Sequence, residues 1–221
     1  MISMKVGIIG AGNIGGALTR RLTALGHDVS VANSRGPATL ADLATQTGAR
    51  AVPLAEVARG AEVVVVAIPE GKVADLPKGL LDGAAEGVAV IDTGNYYPGR
   101  DGRIDAIEDG ATESRWVSDQ LGHPVVKVFN GIYAGHLLEK GVPAGTEGRI
   151  ALPVAGDDAA AKAVVLALVD ELGFDALDAG GLDESWRQQP GSPGYGADAT
   201  LDTLPKLLAA ASPDRTPEFS A

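Results

Sequence analysis

The chain has 221 residues, which suits one large domain or a domain with a small appendage. It is 45% hydrophobic and 21% charged, and its formal net charge of -11 disfavours nucleic acid and anionic membranes as partners. The absence of cysteine excludes disulfides and thiolate metal ligands, and no apolar run reaches the length that crosses a bilayer. We therefore expect a cytoplasmic protein with no nucleic-acid partner, no membrane partner and no metal site.

Short apolar runs rich in branched residues alternate with helical patterns along the chain. The predicted strands cover 5–10, 28–32, 61–69, 88–92, 125–129, 149–155 and 174–178. Helices are predicted up to Gly26 and over 39–47 and 157–172, with a loop and an amphipathic helix in 95–121. This alternation predicts an α/β fold of the Rossmann type, a doubly wound, mainly parallel sheet with a small C-terminal αβ extension.

The same pattern suggests a division of the chain into three parts. We expect a Rossmann core at 1–122, an αβ extension at 123–212 that forms the acceptor side of the site, and a frayed tail at 213–221. The tail is predicted because the last residues are polar and interrupted by proline.

A glycine-rich turn follows the first predicted strand and opens the first helix. Gly10-Ala-Gly12-Asn13-Ile14-Gly15 matches G-x-G-x-x-G in the strand–turn–helix context that the motif requires. The first glycine permits the tight turn, the second lets the backbone approach a pyrophosphate, and the third allows close packing of helix on strand. Free N–H groups at the helix N-terminus then bind the phosphates, so Gly10, Gly12, Asn13, Ile14 and Gly15 are predicted to bind a dinucleotide.

The end of the second strand predicts which dinucleotide is bound. An NAD site places a carboxylate there for the ribose 2′-hydroxyl, whereas an NADP site needs cations and neutral donors for the 2′-phosphate. Here the strand ends in Asn33-Ser34-Arg35, and the nearby Asp28 stands at the opposite end of the strand. Arg35 can clamp the phosphate while Ser34 and Asn33 donate to it, so we predict NADP.

Five segments together resemble the NADP oxidoreductases of the coenzyme F420-dependent family. They are 10–15, 33–35, 66–69, 126–130 and 175–180, and the similarity covers most of 4–186. The chain is also similar to the nucleotide-binding domain of the six-transmembrane metalloreductases, which pass hydride from NADPH to a flavin. Both resemblances imply a small-molecule acceptor with a tricyclic ring, either coenzyme F420 or FMN or FAD.

The resemblance also implies further site residues. Ile68 and Pro69 would line the path from adenosine to nicotinamide, and the loop with Asn130 and Ile132 would face the stacked rings. The deazaflavin enzymes carry a histidine near the position of Asn130, and segment 186–195 does not match theirs.

No catalytic acid or base is identified from the sequence. The three histidines form no triad or metal pattern, Lys127 within a strand suggests a structural or edge charge, and hydride transfer depends chiefly on positioning. Two alternatives stay open: an NADPH-dependent reductase of a small carbonyl or imine compound, and a non-enzymatic NADP sensor. We expect a homodimer.

Overall fold

One eight-stranded sheet organises the protein, in a computed structural model that describes residues 3–221. The spatial order of the strands is β3-β2-β1-β4-β5-β6-β7-β8, and every neighbouring pair is parallel except β6 with β7. The strands are β1 (Lys5–Ile9), β2 (Asp28–Ala32), β3 (Arg50–Ala51), β4 (Val63–Val66), β5 (Ala89–Asp92), β6 (Val126–Lys127), β7 (Ala151–Gly156) and β8 (Asp175–Asp178).

Helices connect these strands and cover both faces of the sheet. They are α1 (Asn13–Ala24), α2 (Ala41–Thr47), α3 (Pro98–Asp101), α4 (Asp105–Glu108), α5 (Glu113–Leu121), α6 (Ala134–Glu139), α7 (Ala159–Glu171) and α8 (Leu204–Ala209). Turns of 3-10 helix cover Pro37–Leu40, Leu54–Glu56, Glu70–Asp75, Leu182–Gln188 and Pro217–Phe219. Across residues 3–221, every helix is too short or too polar to span a membrane.

The central strand β4 shows why the sheet is covered on both sides. Its four valines are fully buried, and alternate side chains point to opposite faces. Val63 and Val65 pack in the core beneath α1 and α7, while Val64 and Val66 pack in a second core that includes residues of α5. The predicted doubly wound, mainly parallel α/β fold is confirmed.

The predicted elements differ from the observed ones in detail. The strands predicted over 61–69 and 125–129 are shorter, as Val63–Val66 and Val126–Lys127, because the residues that follow leave the sheet to form loops. The short β3 was not predicted, and 95–121 holds three helices, α3 to α5, where one was expected. The division at 1–122, 123–212 and 213–221 stays a prediction.

Candidate functional site

The glycine turn after β1 forms an open cradle at the N-terminus of α1. Gly10 has φ +100, and a Cβ there would collide with the carbonyl oxygen of Ala67. A Cβ on Gly15 would in turn collide with the carbonyl oxygen of Gly10, so helix and turn pack as closely as the motif predicts. A Cβ on Gly12 would meet no atom within 4 Å. The cradle is therefore closed beneath Gly10 and Gly15 and open above Gly12, where a pyrophosphate would lie.

The start of α1 offers unpaired donors to this cradle. The helix begins at Asn13, and its cap residue, Gly12, has no side chain to accept the first N–H groups. Asn13 is exposed, while Ile14 is half-buried and packs against the core. This end of the helix can bind an anion through its backbone.

A cleft of about 360 Å³ lies beside the cradle, between the ends of β2 and β4. It includes five of the predicted site residues, and its lining residues are Ile9, Gly10, Asn33, Ser34, Leu54, Ile68, Pro69, Lys72, Asp75 and Leu76. Ser34 and Arg35 are exposed at its rim. The cleft lies at the carboxyl ends of the strands, where a Rossmann fold places its dinucleotide.

The loop after β2 is held by Asn33. Its side-chain oxygen accepts the N–H of Arg35 at 2.9 Å, and its amide nitrogen donates to the hydroxyl of Thr39 at 2.9 Å. Asn33 thus shapes the loop, and Ser34 and Arg35 are the side chains free to meet a 2′-phosphate. Asp28 is the first residue of β2 and lies at the opposite end of that strand, where it pairs with Arg50.

Three side-chain amides form a network where β5 and β6 end. Asn130 donates to the side-chain oxygen of Asn95 at 3.1 Å and to the backbone carbonyl oxygen of Gln188 at 2.6 Å. The side-chain amide of Gln188 donates to the side-chain oxygen of Asn130 at 3.1 Å. Asn95 donates to the carbonyl oxygen of Asn130 at 2.9 Å. Asn130 and Ile132 are each only 5% exposed, and their predicted contact with a ring stays a prediction. Phe129 turns the chain here with φ +65, a strained backbone conformation typical of functional sites.

Two tyrosines extend this network towards solvent. The hydroxyls of Tyr97 and Tyr195 are 2.5 Å apart, and the amide nitrogen of Asn95 lies 3.4 Å from the Tyr195 hydroxyl. Burial, together with the hydrogen bond to Tyr97, raises the pKa of Tyr195, which keeps the phenol protonated and able to donate. The loop that carries Tyr195 joins the loop after β6 through the N–H of Gly196 and the carbonyl oxygen of Gly131, at 2.8 Å.

A cluster of charged side chains is buried beneath the same edge of the sheet. We call Glu70, Asp92, Glu113 and Lys127 the acid cluster, and each is at most 2% exposed. Lys127 donates to Glu113 at 3.1 Å and to the carbonyl oxygen of Gly94 at 3.1 Å. Asp92 accepts the Ser114 hydroxyl at 2.6 Å.

Burial raises the pKa of Glu70 well above its ordinary value, and the charge of Asp92 raises it further. Burial acts to lower the pKa of Lys127, but Glu113, Asp92 and Glu70 outweigh it, and the net shift is upward. The lysine is therefore an ammonium ion in an interior strand between β5 and β7. The sequence suggested that Lys127 is a structural or edge charge. The structural role agrees with the ion pairs of Lys127, but its strand lies inside the sheet and not at an edge.

The acid cluster and the tyrosine pair were not identified from the sequence. A lysine inside the apolar run 125–129 was the one visible signal, since a buried amine requires acidic partners. Those partners stand 14 and 35 residues from Lys127 along the chain, on other elements, so the sequence alone did not bring them together.

Taken together, a parallel sheet, a glycine cradle at its first strand and a cleft at its carboxyl edge define a dinucleotide-binding Rossmann protein. Residues 5–96 match the family described as NADP oxidoreductase, coenzyme F420-dependent. The hypothetical protein SMa0349 from Sinorhizobium meliloti is 32% identical, with a TM-score of 0.73 over 88% of this chain and 94% of that chain. The chain belongs to the coenzyme F420-dependent NADP oxidoreductase family.

Two further relatives are similar to this chain, one at lower sequence identity and one over a shorter segment. An Arthrobacter sp. FB24 protein, provisionally named an F420-dependent NADP reductase, is 26% identical, with a TM-score of 0.68 over 94% of each chain. The Escherichia coli (strain K12) protein YjhV is 49% identical over 63 residues, which are 28% of this chain and 46% of YjhV. The match therefore spans about half of that curated relative.

Proposed function

We propose that the protein transfers hydride between NADPH and a deazaflavin (F420) or flavin-like ring. The observation that carries this proposal is that the loop after β6 and the loop up to Gly196 meet at the carboxyl end of β5, joined by the hydrogen bond from the N–H of Gly196 to the carbonyl oxygen of Gly131. Parallel sheets place their ligands at the carboxyl ends of the strands, and both loops lie at the end of β5. A flat acceptor placed there would stack against a nicotinamide that enters from the cleft.

The residues present fit the pyrophosphate, the adenosine and the 2′-phosphate of NADP. The open space above Gly12 takes the pyrophosphate, the start of α1 supplies N–H donors, and the cleft takes the adenosine. Arg35 and Ser34 would then hold the 2′-phosphate at the rim. When bound, the nicotinamide supplies the hydride, and the chain contributes position and the exclusion of water.

The acceptor side is suited to a polar ring with a flat face. Tyr97, Tyr133 and Tyr195 present aromatic surface there, and Tyr133 is 61% exposed. Protonated phenols can donate to the carbonyl or nitrogen acceptors of a flavin-like ring. Reduction of such a ring takes one hydride from NADPH and one proton from solvent.

The acceptor is identified by offering candidates to the NADPH complex. Stopped-flow absorbance would follow NADPH oxidation with F420, FMN, FAD, ferric chelates, and a set of small carbonyl and imine compounds. Rapid oxidation with F420 or a flavin is expected. Oxidation with the small compounds alone would identify the carbonyl or imine reductase, and NADPH binding without oxidation by any of them would favour a sensor.

Tyr195→Phe tests the acceptor side directly. Loss of one neutral hydrogen bond costs about 1 kcal/mol, so the KM for the acceptor is expected to rise by about fivefold. The Kd for NADPH should not change, because Tyr195 does not line the cleft. Steady-state kinetics and calorimetry measure the two quantities. An unchanged KM, or an equal loss of NADPH affinity, would contradict the assignment of this loop to the acceptor.

The homodimer and the cytoplasmic location are also proposals. A dimer would place a second copy against exposed apolar residues such as Leu201, which is 45% exposed, and Val164, which is 37% exposed. Sedimentation velocity of the purified chain, with and without NADPH, tests this assembly. A monomer under both conditions would exclude it.

A further inference from the structure

The side chain of Glu70 lies fully inside the protein, and this burial calls for an explanation. Its exposure is 0%, and within residues 3–221 neither carboxylate oxygen has a hydrogen-bond donor. An ionised carboxylate left in that condition destabilises the folded state, so proteins neutralise such a group. Glu70 is also the first residue of the 3-10 turn Glu70–Asp75, directly after Pro69 in the cleft wall.

Asp92 offers the acceptor that a neutral Glu70 needs. Both carboxylates border Gly94: a Cβ placed there would collide with Oε2 of Glu70 and lie 2.9 Å from Oδ1 of Asp92. Asp92 is itself stabilised as an anion, since its oxygens accept the N–H of Gly94 at 2.8 Å and the hydroxyl of Ser114. One proton between the two carboxyl groups removes their repulsion.

The charges around Glu70 balance when it is neutral. Asp92 and Glu113 carry two negative charges, and Lys127 carries one positive charge. Arg215, from the C-terminal tail, adds the second positive charge by donating to Glu113 at 2.7 Å. The remaining groups that face Glu70 lie on α3, where Asp101 and Arg100 pair with each other at 2.8 Å.

We propose that Glu70 is a positioning residue of the nucleotide cleft, held as a neutral carboxylic acid that hydrogen-bonds to Asp92. This bond ties the inner side of Glu70–Asp75 to the end of β5. The outer side of the same turn carries Lys72, Asp75 and Leu76, which line the cleft. Ionisation of Glu70 places a second negative charge beside Asp92 and loosens the turn, so the cleft wall depends on one buried proton.

The inference rests on NADPH occupying this cleft, and its first test needs no ligand. The pKa of a glutamate carboxyl group is ordinarily 4.5, and folding raises that of Glu70. The contribution of such a group to stability is fully present below pH 4.5 and is lost as the pH rises through the folded-state pKa. Glu70→Gln keeps a neutral donor and cannot ionise. The wild type is therefore expected to lose stability relative to Glu70→Gln as pH rises from about 5 to about 9, measured by urea unfolding.

The second test measures calorimetric Kd values for NADPH from about pH 6.5 to about pH 9. The affinity of the wild type for NADPH is expected to weaken with rising pH, by about tenfold for each unit by which binding shifts the pKa of Glu70. The 2′-phosphate titrates equally in both proteins, so its effect cancels when they are compared. After that comparison, the affinity of Glu70→Gln should not change with pH. Glu62→Gln is the matched control, since it makes the same substitution at an exposed glutamate directly before β4, whereas Glu70 follows the other end of that strand. This control should follow the wild type.

Infrared spectroscopy of the wild type covers the case in which Glu70→Gln does not fold. A carbonyl band of a protonated carboxylic acid is expected at neutral pH and should disappear at alkaline pH. Absence of that band, or a stability difference from Glu70→Gln that does not change with pH, would overturn the neutral state of Glu70. Failure of the wild type to bind NADPH at any pH would instead overturn the proposed function, and with it the link to the cleft.

Discussion

Gly12→Val is expected to abolish NADPH binding while the protein stays folded. The Cβ of residue 12 would point into open space, and its φ of -74° suits any residue, so the fold has no reason to resist the change. The same space is where the pyrophosphate would approach the backbone, and a branched side chain would fill it. We expect a loss of at least about 100-fold in affinity, or about 2.7 kcal/mol, by calorimetry, with an unchanged circular dichroism spectrum.

Two other glycines of the same turn and helix supply the controls. Gly10→Val should lose binding through the fold itself, because φ +100 and the collision with Ala67 both oppose a side chain. Gly16→Ala adds a methyl group whose nearest neighbour, the carbonyl oxygen of Ala11, is 3.8 Å away, which is an ordinary contact distance. This variant should therefore bind NADPH, and the higher helix propensity of alanine should add up to about 1 kcal/mol in stability. Normal NADPH binding by Gly12→Val would show that the cofactor does not cross this turn.

The strand, glycine turn and helix of the proposed nucleotide site were predictable because their signals are local. Gly10 to Gly15, the helix that follows and the polar end of β2 all lie within one strand–helix–strand unit. The buried strand β4 was equally predictable, since its four consecutive valines form the continuous apolar run typical of a strand buried on both faces of a parallel sheet. In each case the physical reason, a turn geometry or a burial pattern, acts on neighbours in sequence.

The side-chain network at the proposed acceptor side was less predictable because it is assembled from distant segments. Tyr97 and Tyr195 are 98 residues apart along the chain, and Asn130 and Gln188 are 58 apart. Glu70 follows Pro69, and such a residue is ordinarily a solvated loop charge. Its complete burial depends on Asp92, Glu113 and Lys127, which come from three other elements. No periodicity in the sequence predicts that these four side chains contact one another.

Arg35→Ala is expected to remove the preference for NADPH over NADH. The wild type should bind NADPH at least about tenfold more tightly, because Arg35 and Ser34 would meet the 2′-phosphate and the end of β2 carries no carboxylate for the 2′-hydroxyl. A charge-assisted contact of this kind contributes about 1.5–3 kcal/mol, so the variant should lose about 10-fold to 150-fold in NADPH affinity. Its affinity for NADH, which lacks the phosphate, should change little. Calorimetric titration with both nucleotides measures the difference.

Arg59→Ala is the matched control for this prediction. Arg59 is also exposed, but it precedes β4 and so lies at the amino edge of the sheet, away from the nucleotide cleft. Its loss removes the same charge from the protein without removing a contact to the cofactor, so a general electrostatic effect of net charge would appear in both variants. Raised salt should weaken NADPH binding to the wild type more than to Arg35→Ala, because the contact lies at the surface and is screened. Equal losses in the two variants, or a nucleotide preference that survives Arg35→Ala, would place the 2′-phosphate elsewhere.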